Sequence, residues 1–328
     1  AGAPRSGLGV LYAVSAVLTA LICAPLLWGA VTGEQLLHRD AVSTPRFPWS
    51  AAAFGIDGAP PRAIPQDGVL ALLSTVVGGG LLVVLITCAA LVFAGVGYGR
   101  LARELVPGAG LPGGVAAATV AIWNPFVAER LLQGHWSLLT GYAALGWLIL
   151  AVRRSAATPG WTTGAIVAGL LAVAGFTPTG SLLGLLVALA TVAAVPTGRG
   201  RTALLVVGAW LLTALPWLVA AAVSEAPGAA AGGAELFAAR AEPGLGTVGS
   251  LLGLGGIWNA EAVPTSRTSW WAAVATAALL VLLLLGLRAL WRARDGLERL
   301  VPALGLLAGA VVVVIALAAT GPGLDILD

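Results

Sequence analysis

The sequence predicts an all-α integral membrane protein in which about nine transmembrane helices form one bundle. Two observations lead to this prediction. Hydrophobic residues make up 59% of the 328 residues and charged residues only 9%, and a water-soluble domain needs more charge than that to cover its surface. The apolar residues also occur in long stretches. In lipid such stretches form helices, because each backbone group must find its hydrogen bond within the chain.

The individual spans follow from the length of each apolar stretch, since a helix needs roughly 20 apolar residues to cross a hydrocarbon core about 30 Å thick. In chain order the predicted spans are residues 8–31, 69–96, 111–123, 136–152, 161–176, 180–195, 202–223, 270–287 and 300–320. The fifth and sixth are short, and they either cross with little tilt or form a re-entrant pair. We expect one polytopic domain, residues 1–328, which forms the amino-terminal part of a longer protein.

Arginine gives the orientation of the bundle, because the chain has no Lys. One large group of arginines falls on the same side of consecutive spans: Arg5, Arg100, Arg103, Arg153, Arg154, Arg199, Arg201, Arg288, Arg292, Arg294 and Arg299. Fewer lie on the opposite side, so the positive-inside rule predicts a cytoplasmic N-terminus in the plasma membrane. The longer connections, 32–68, 124–135 and 224–269, then face outward. No basic stripe with interleaved aromatic residues points to nucleic acid.

The first outer loop carries three adjacent polar residues shortly after the first span. These are His38, Arg39 and Asp40. A carboxylate near the headgroup plane can act as a general base on a sugar hydroxyl or help hold a divalent cation. The same three residues also fit an ordinary solvated loop, and spacing alone leaves both interpretations open.

The second outer connection is short and unusually polar. Pro125 disfavours helical conformation in the residue before it, so Asn124 is expected to end a helix. If the residues that follow are helical, an acid, a guanidinium and an amide fall within about one turn. An imidazole follows them, and this set suits a phosphate-linked group, for which Arg is the favoured partner. The alternative is an interfacial turn with a salt bridge. The candidate binding residues here are Asn124, Glu129, Arg130 and His135.

The third outer loop contains a Gly-Leu-rich segment, residues 245–259, and then Arg267 just before Trp270 and Trp271. A cation beside a tryptophan pair is typical of an interfacial anchor, and it also suits a lipid phosphate. Cys23 and Cys88 fall within spans and are interpreted as small buried apolar side chains.

Several kinds of chemistry have no motif in this sequence. It lacks a paired-cysteine metal motif, a phosphate-binding P-loop, a dinucleotide fingerprint and a Gly-x-Ser-x-Gly elbow. No charged residue stands in the middle of a span, which argues against proton-coupled transport. Small-residue pairs such as Gly95/Gly99 predict close helix packing, either inside the bundle or between two copies of the chain.

The segment Trp123-Asn-Pro-Phe-Val-Ala-Glu-Arg-Leu-Leu-Gln-Gly-His-Trp136 resembles a motif of actinobacterial and archaeal membrane proteins grouped with the GT-C glycosyltransferase superfamily. Asp40 resembles that superfamily's acidic residue in the first outer loop, and Gly253-Leu-Gly-Gly-Ile-Trp-Asn259 also looks similar. The resemblance implies a GT-C-like bundle whose site faces outward. The sequence departs from the usual pattern of the superfamily, because Asp40 has no second acid two residues away and many members have more spans and a soluble carboxy-terminal domain. Dependence on a divalent cation is therefore open.

The resemblance further implies transfer of a sugar from a polyprenyl-phosphate donor to a cell-envelope glycan, glycolipid or protein. Asp40 would deprotonate or orient the acceptor hydroxyl, and Arg130 and Arg267 would hold the donor phosphate, with His38, Arg39, Asn124, Glu129 and His135 as further substrate-binding candidates. Two alternatives remain, an envelope lipid transporter or flippase and a non-catalytic scaffold subunit of an envelope-synthesis complex.

Overall fold

The computed structural model describes residues 7–58, 63–225, 235–292 and 300–318. Apart from short 3-10 turns, the regular structure of these residues consists of helices and one hairpin, which confirms the all-α class. The hairpin pairs β1 (Leu37–His38) with β2 (Ala41–Val42) in antiparallel register. Arg5, Arg62, Arg294 and Arg299, which bear on the orientation, lie outside the described residues.

The helices follow one another with short connections. In chain order they are α1 (Leu8–Ile22), α2 (Ala24–Thr32), α3 (Gln66–Leu73), α4 (Gly79–Leu105), α5 (Gly110–Ile122), α6 (Pro125–Gln133), α7 (Trp136–Ala157), α8 (Trp161–Ala174), α9 (Pro178–Ala194), α10 (Arg199–Val223), α11 (Gly246–Leu252), α12 (Trp271–Arg292) and α13 (Leu300–Ala318).

Five helical stretches among the described residues are long and apolar enough to cross a membrane: Gly79–Leu105, Pro107–Gln133, Trp136–Ala157, Arg199–Val223 and Trp271–Leu290. A sixth arises if α1 and α2, which meet at an angle of 71°, count as one broken span. The nine predicted spans are therefore not confirmed. Helices α8 and α9 have only 14 and 17 residues. Since each residue adds about 1.5 Å to a helix, both are shorter than a hydrocarbon core about 30 Å thick.

The contacts within the chain divide it into two compact units. The first comprises Ala1–Trp123 and Gly134–Ala226, and the second comprises Asn124–Gln133 and Pro227–Asp328. Helix α6 thus belongs to the second unit, although its neighbours in the chain, α5 and α7, belong to the first.

The first unit is organised around α4, which packs against α1, α5 and α7. Glycines on α4 make these contacts close. A Cβ on Gly95 would collide with Ser15, and one on Gly97 would collide with the indole of Trp147. The Gly95/Gly99 pair predicted from the sequence therefore serves packing within this unit. Helices α8, α9 and α10 complete a core with α7 around Leu148, and its buried members include Val152, Val167, Leu171 and Val206.

The second unit contains α6, α11, α12 and α13, joined by irregular segments. Helix α11 packs against both α12 and α13. Much of α12 is exposed, and Leu282, Leu283 and Leu284 are each more than half accessible. Such a surface suits lipid better than water, because apolar side chains cost free energy when they face water.

Candidate functional site

The first candidate site lies on the hairpin of the first unit. The register pairs His38 with Ala41, so Arg39 and Asp40 form a two-residue turn at its tip. Arg39 has a φ of 50°, a left-handed conformation that few non-glycine residues adopt. Ser43 closes the base, because its hydroxyl accepts from the Leu36 N–H at 3.1 Å and donates to the Leu36 carbonyl at 3.0 Å. Asp40 therefore lies on a turn that the hydrogen bonds between Ser43 and Leu36 stabilise.

The turn brings Asp40 to His135, which lies immediately before α7. The His135 Nε2 atom and the Asp40 Oδ2 atom are 2.8 Å apart, and the two side chains are 27% and 53% exposed. The approach requires glycine at position 134, which has a φ of 89° and whose Cβ would collide with the backbone nitrogen of Ala41. Both residues are candidates predicted from the sequence, but their pairing was not predicted.

The pair is held in place by the core beneath it. Trp136, directly after His135, is buried and packs with Ala41, Leu70, Leu82 and Val83. The same cluster therefore anchors both the hairpin and the start of α7. When Nε2 carries the imidazole hydrogen and donates it to Asp40, the lone pair is on Nδ1, and a carboxylate placed in this way stabilises the imidazolium that forms when Nδ1 takes a proton. The arrangement is suited to general base catalysis.

The other candidates on the hairpin flank this pair. His38 lies in β1 and is exposed, and Arg39 is half-buried at the turn. They lie next to Asp40, as the sequence requires, and their role in substrate binding stays a prediction.

The second group of candidates is on α6, in the second unit. The Asn124 side chain accepts a hydrogen bond from the Val127 N–H at 3.0 Å, so it caps the helix that Pro125 begins. Arg130 lies half-buried with its guanidinium carbon 5.4 Å from the centre of the Phe126 ring, one turn earlier. The Asn-Pro pair therefore has a structural purpose, which is to start α6.

Polar residues of α6 form hydrogen bonds to the glycine-rich segment, residues 245–259. Glu129 is fully buried, and its Oε2 atom accepts from the Ile257 N–H at 3.2 Å. The Gln133 Oε1 atom accepts from the Asn259 amide at 2.7 Å. The two stretches with the resemblance, residues 123–136 and 253–259, thus meet through these two bonds. Among the described residues Glu129 Oε1 has no hydrogen-bond partner.

Arg267 forms a buried ion pair inside the second unit. Its Nε atom donates to Glu242 Oε1 at 2.9 Å, its Nη2 atom contacts Glu242 Oε2, and its Nη1 atom donates to the Thr276 hydroxyl at 3.2 Å. The guanidinium is 3% exposed. Most of its donors are used within the protein, so a phosphate at Arg267 would compete with Glu242. Glu242 was not predicted from the sequence, since nothing in its neighbourhood marks it as the partner of Arg267.

The glycine-rich segment encloses this ion pair. A Cβ on Gly253 would lie 2.9 Å from Arg267 Nη2, and a Cβ on Gly255 would lie 2.8 Å from the same atom and 2.5 Å from Glu242 Oε1. Gly256 has a φ of 91°, which favours glycine. Gly253 and Gly255 therefore make room for the buried charge pair, and Gly256 permits the backbone conformation that follows them.

The predicted site residues fall into two groups, one in each unit. His38, Arg39, Asp40 and His135 belong to the first unit, and Asn124, Glu129, Arg130 and Arg267 belong to the second. Within the part of the chain that the structure describes, no group of three or more His, Cys, Asp or Glu side chains is placed to hold a metal ion.

Two cavities lie along α4 in the first unit. The larger has a volume of about 460 Å³ and lies between α1, α2 and α4, with an almost entirely apolar lining that includes Leu27, Leu85 and Val92. The smaller, about 100 Å³, lies between α2, residues 34–36 and the start of α4, where Gly80 and Val84 line it. The smaller one ends beside the residues that lead into the hairpin.

No protein-family model matches this chain, and no curated protein or solved structure is significantly similar to it. The resemblance to the GT-C superfamily thus stays a prediction from short motifs.

Proposed function

We propose that this protein is a membrane glycosyltransferase that moves a sugar from a polyprenyl-phosphate donor to a hydroxyl group of a cell-envelope acceptor, at the outer face of the plasma membrane. The 2.8 Å contact between Asp40 and His135 is the observation on which the proposal rests. An imidazole in contact with a carboxylate at an exposed position can act as a general base, and glycosyl transfer needs a base for the acceptor hydroxyl.

In the proposed reaction, His135 Nδ1 takes the proton of the acceptor hydroxyl while Asp40 stabilises the resulting imidazolium. The acceptor oxygen attacks the anomeric carbon, and the bond between that carbon and the phosphate oxygen breaks. The electron pair of the broken bond leaves with the polyprenyl phosphate. This assignment refines the expectation from the sequence, in which Asp40 alone acts on the acceptor.

The apolar cavity between α1, α2 and α4 supports a lipid-linked donor. A polyprenyl tail already lies in lipid, so its transfer into this cavity is close to neutral in hydrophobic free energy. The almost entirely apolar lining is compatible with such a tail, because no polar group of the protein has to be buried against it. The smaller cavity is lined by residues 34–36, which lead into the hairpin, and by residues of α2 and α4. In the proposal, the tail of the donor occupies the larger cavity and its phosphate lies near the hairpin.

The proposal is tested with purified protein in lipid nanodiscs and a panel of radiolabelled polyprenyl-phosphate hexoses and pentoses. We expect Asp40→Asn and His135→Ala each to reduce transfer about 10²- to 10⁴-fold, the usual contribution of a general base. Added imidazole should partly restore His135→Ala. The matched control is Asp57→Asn, the same substitution at another exposed acid of the same loop, which should retain activity.

Full activity in both Asp40→Asn and His135→Ala would refute the catalytic role of the pair. Folding is checked independently by size-exclusion chromatography and circular dichroism, so that a lost activity reports chemistry and not unfolding.

An envelope lipid transporter is the second candidate, and the apolar cavity is the observation that favours it. A transporter moves its lipid across sealed vesicles without forming a covalent product, whereas a transferase forms a new glycosidic bond. The position of the Asp40–His135 pair on an exposed hairpin favours the transferase, because a transport route needs its polar groups within the bundle.

A further inference from the structure

A third cavity lies within the second unit, between the glycine-rich segment and the residues on either side of it. Its volume of about 430 Å³ is within the range of roughly 300–1,000 Å³ that is typical of ligand pockets. The lining includes three charged side chains, Arg240, Glu242 and Arg267, and three apolar ones, Pro243, Ile257 and Val263. A cavity with both kinds of lining suits a ligand that is charged at one end and apolar at the other.

The charged side chains of this cavity leave one positive charge uncompensated. Arg267 and Glu242 neutralise each other, because the guanidinium contacts both oxygens of the carboxylate. Arg240 is exposed, and among the residues that the structure describes none forms an ion pair or a hydrogen bond with its guanidinium. A cavity that carries a net positive charge attracts an anion, and arginine in particular suits a phosphate.

Hydrogen bonds fix the backbone from which Arg240 extends. The Arg240 N–H donates to the Gly256 carbonyl at 3.1 Å, and two residues later the Glu242 N–H donates to the Ser250 hydroxyl at 2.8 Å. Residues 240–242 are thus attached to the glycine-rich segment at both ends. Only the side chain of Arg240 has to become ordered when a ligand binds, which keeps the entropic cost of binding small.

The cavity also lies next to residues that are typical of a membrane interface. Thr268 is part of its lining, and Trp270 and Trp271 follow at the start of the apolar helix α12. The two indoles stack with their ring centres 4.3 Å apart, and both are more than half exposed. Tryptophans at the end of an apolar helix are typical of the headgroup level of a bilayer. Lipid phosphates lie at that level, so the interface itself supplies an anion of the right kind.

We propose that this cavity binds the headgroup of an anionic phospholipid of the surrounding membrane, with the lipid phosphate on the Arg240 guanidinium. The planar fork of N–H groups of an arginine donates two parallel hydrogen bonds to a phosphate. A zwitterionic headgroup would bring its own cation close to Arg240, so an anionic lipid is the better ligand. The inference stands apart from the proposed function, because it needs neither the Asp40–His135 pair nor sugar transfer.

The test uses the full chain, delipidated in a neutral detergent and titrated with dioctanoyl-phosphatidylglycerol or dioctanoyl-phosphatidylcholine, with bound lipid counted by native mass spectrometry. We expect one phosphatidylglycerol to bind about tenfold more tightly than phosphatidylcholine. Arg240→Gln should weaken phosphatidylglycerol binding about tenfold or more, since it removes hydrogen bonds to a charged group. Arg240→Lys keeps the charge but not the fork and should retain part of the affinity. The matched control is Arg288→Gln, at an exposed arginine of the same unit outside the cavity, which should bind like the wild type.

A second pair of variants tests the cavity while Arg240 is kept. Ala241→Trp places an indole at an exposed position of the lining, whereas Val248→Trp places one at an exposed position of α11 outside it. Only Ala241→Trp should weaken phosphatidylglycerol binding, and equal affinities in the two variants would place the lipid elsewhere. Wild-type affinity in Arg240→Gln, or the same loss in Arg288→Gln, would overturn the site. Displacement of phosphatidylglycerol by an equal concentration of inorganic phosphate would overturn the lipid as its ligand.

Discussion

At the scale of single residues, the ion pair between Arg267 and Glu242 accounts for the glycines around it. A buried charge without a partner costs several kcal/mol, so the two groups have to be held in close contact. Gly253 and Gly255 pass over the pair at distances that a methyl group would not permit. Gly253 and Gly255 of the Gly-Leu-Gly-Gly sequence thus leave the space that the two charged side chains occupy.

Gly255→Ala tests this account. The added Cβ would lie 2.5 Å from Glu242 Oε1 and 2.8 Å from Arg267 Nη2, so the ion pair has to shift. We expect a loss of about 1–3 kcal/mol in the free energy of unfolding, as for other overpacked sites. The measurement is denaturant unfolding in detergent, followed by circular dichroism.

The matched control is Gly305→Ala, on α13 in the same unit, where a Cβ would meet nothing within 4 Å. It should stabilise the protein by about 0.5–1 kcal/mol, because alanine is the better helix former. Equal effects of the two substitutions would contradict the account of the ion pair.

The sequence predicted which residues are candidates for a site, but not which residues they contact. Asp40, Glu129, His135 and Arg267 were singled out because they are polar in an apolar chain. Their partners were not predicted, since Glu129 bonds to a residue 128 positions away and His135 to one 95 positions away. Local spacing predicts which residues share a helical turn, but a pair formed between distant segments depends on the packing of the whole unit.

At the scale of secondary-structure elements, α4 shows how a glycine stripe builds a helix pair. The indole of Trp147 on α7 lies against Gly97, stacks on Phe93 with ring centres 4.9 Å apart, and donates its Nε1 hydrogen to the Phe93 carbonyl at 2.8 Å. Small residues that let a neighbouring helix approach closely are typical of helix contacts in lipid. The sequence predicted close packing at Gly95 and Gly99, which meet α1 and α5, whereas Gly97, the glycine that faces α7, was not singled out.

Gly97→Ala is the test at this scale. Because its Cβ would overlap the Trp147 indole, the helices α4 and α7 have to move apart, and we expect the melting temperature in detergent to fall by several degrees. Gly169→Ala on α8 has open space around it and should leave the melting temperature unchanged or raise it. A melting temperature unaffected by Gly97→Ala would show that the α4–α7 contact is not tightly packed.

At the scale of the whole molecule, hydropathy predicted the helical class correctly, whereas the nine predicted spans are not confirmed among the described residues. An apolar stretch shows that a segment avoids water, and a helix buried among other helices does this as well as one that crosses a bilayer. Leu170 and Leu171 on α8 are buried in this way. The division into two units left no sign in hydropathy either, since α6 joins the second unit through the polar residues Glu129 and Gln133.

The predicted orientation is testable with single cysteines in a variant in which Cys23 and Cys88 are replaced by serine. Ala51 and Ala157 are both exposed, and the arginine distribution places the first outside and the second in the cytoplasm. In intact cells a membrane-impermeant maleimide should label Ala51→Cys but label Ala157→Cys only after permeabilisation. The opposite pattern would reverse the orientation and place the Asp40–His135 pair in the cytoplasm.

The openness of the Asp40–His135 pair has a consequence for substrate order. With 27% and 53% of these side chains accessible, bulk water reaches the base as easily as an acceptor does. On the proposed function, a donor bound alone would lose its sugar to hydrolysis. The acceptor must therefore shield the reaction centre itself, and omitting it should convert the protein into a slow hydrolase that releases free sugar.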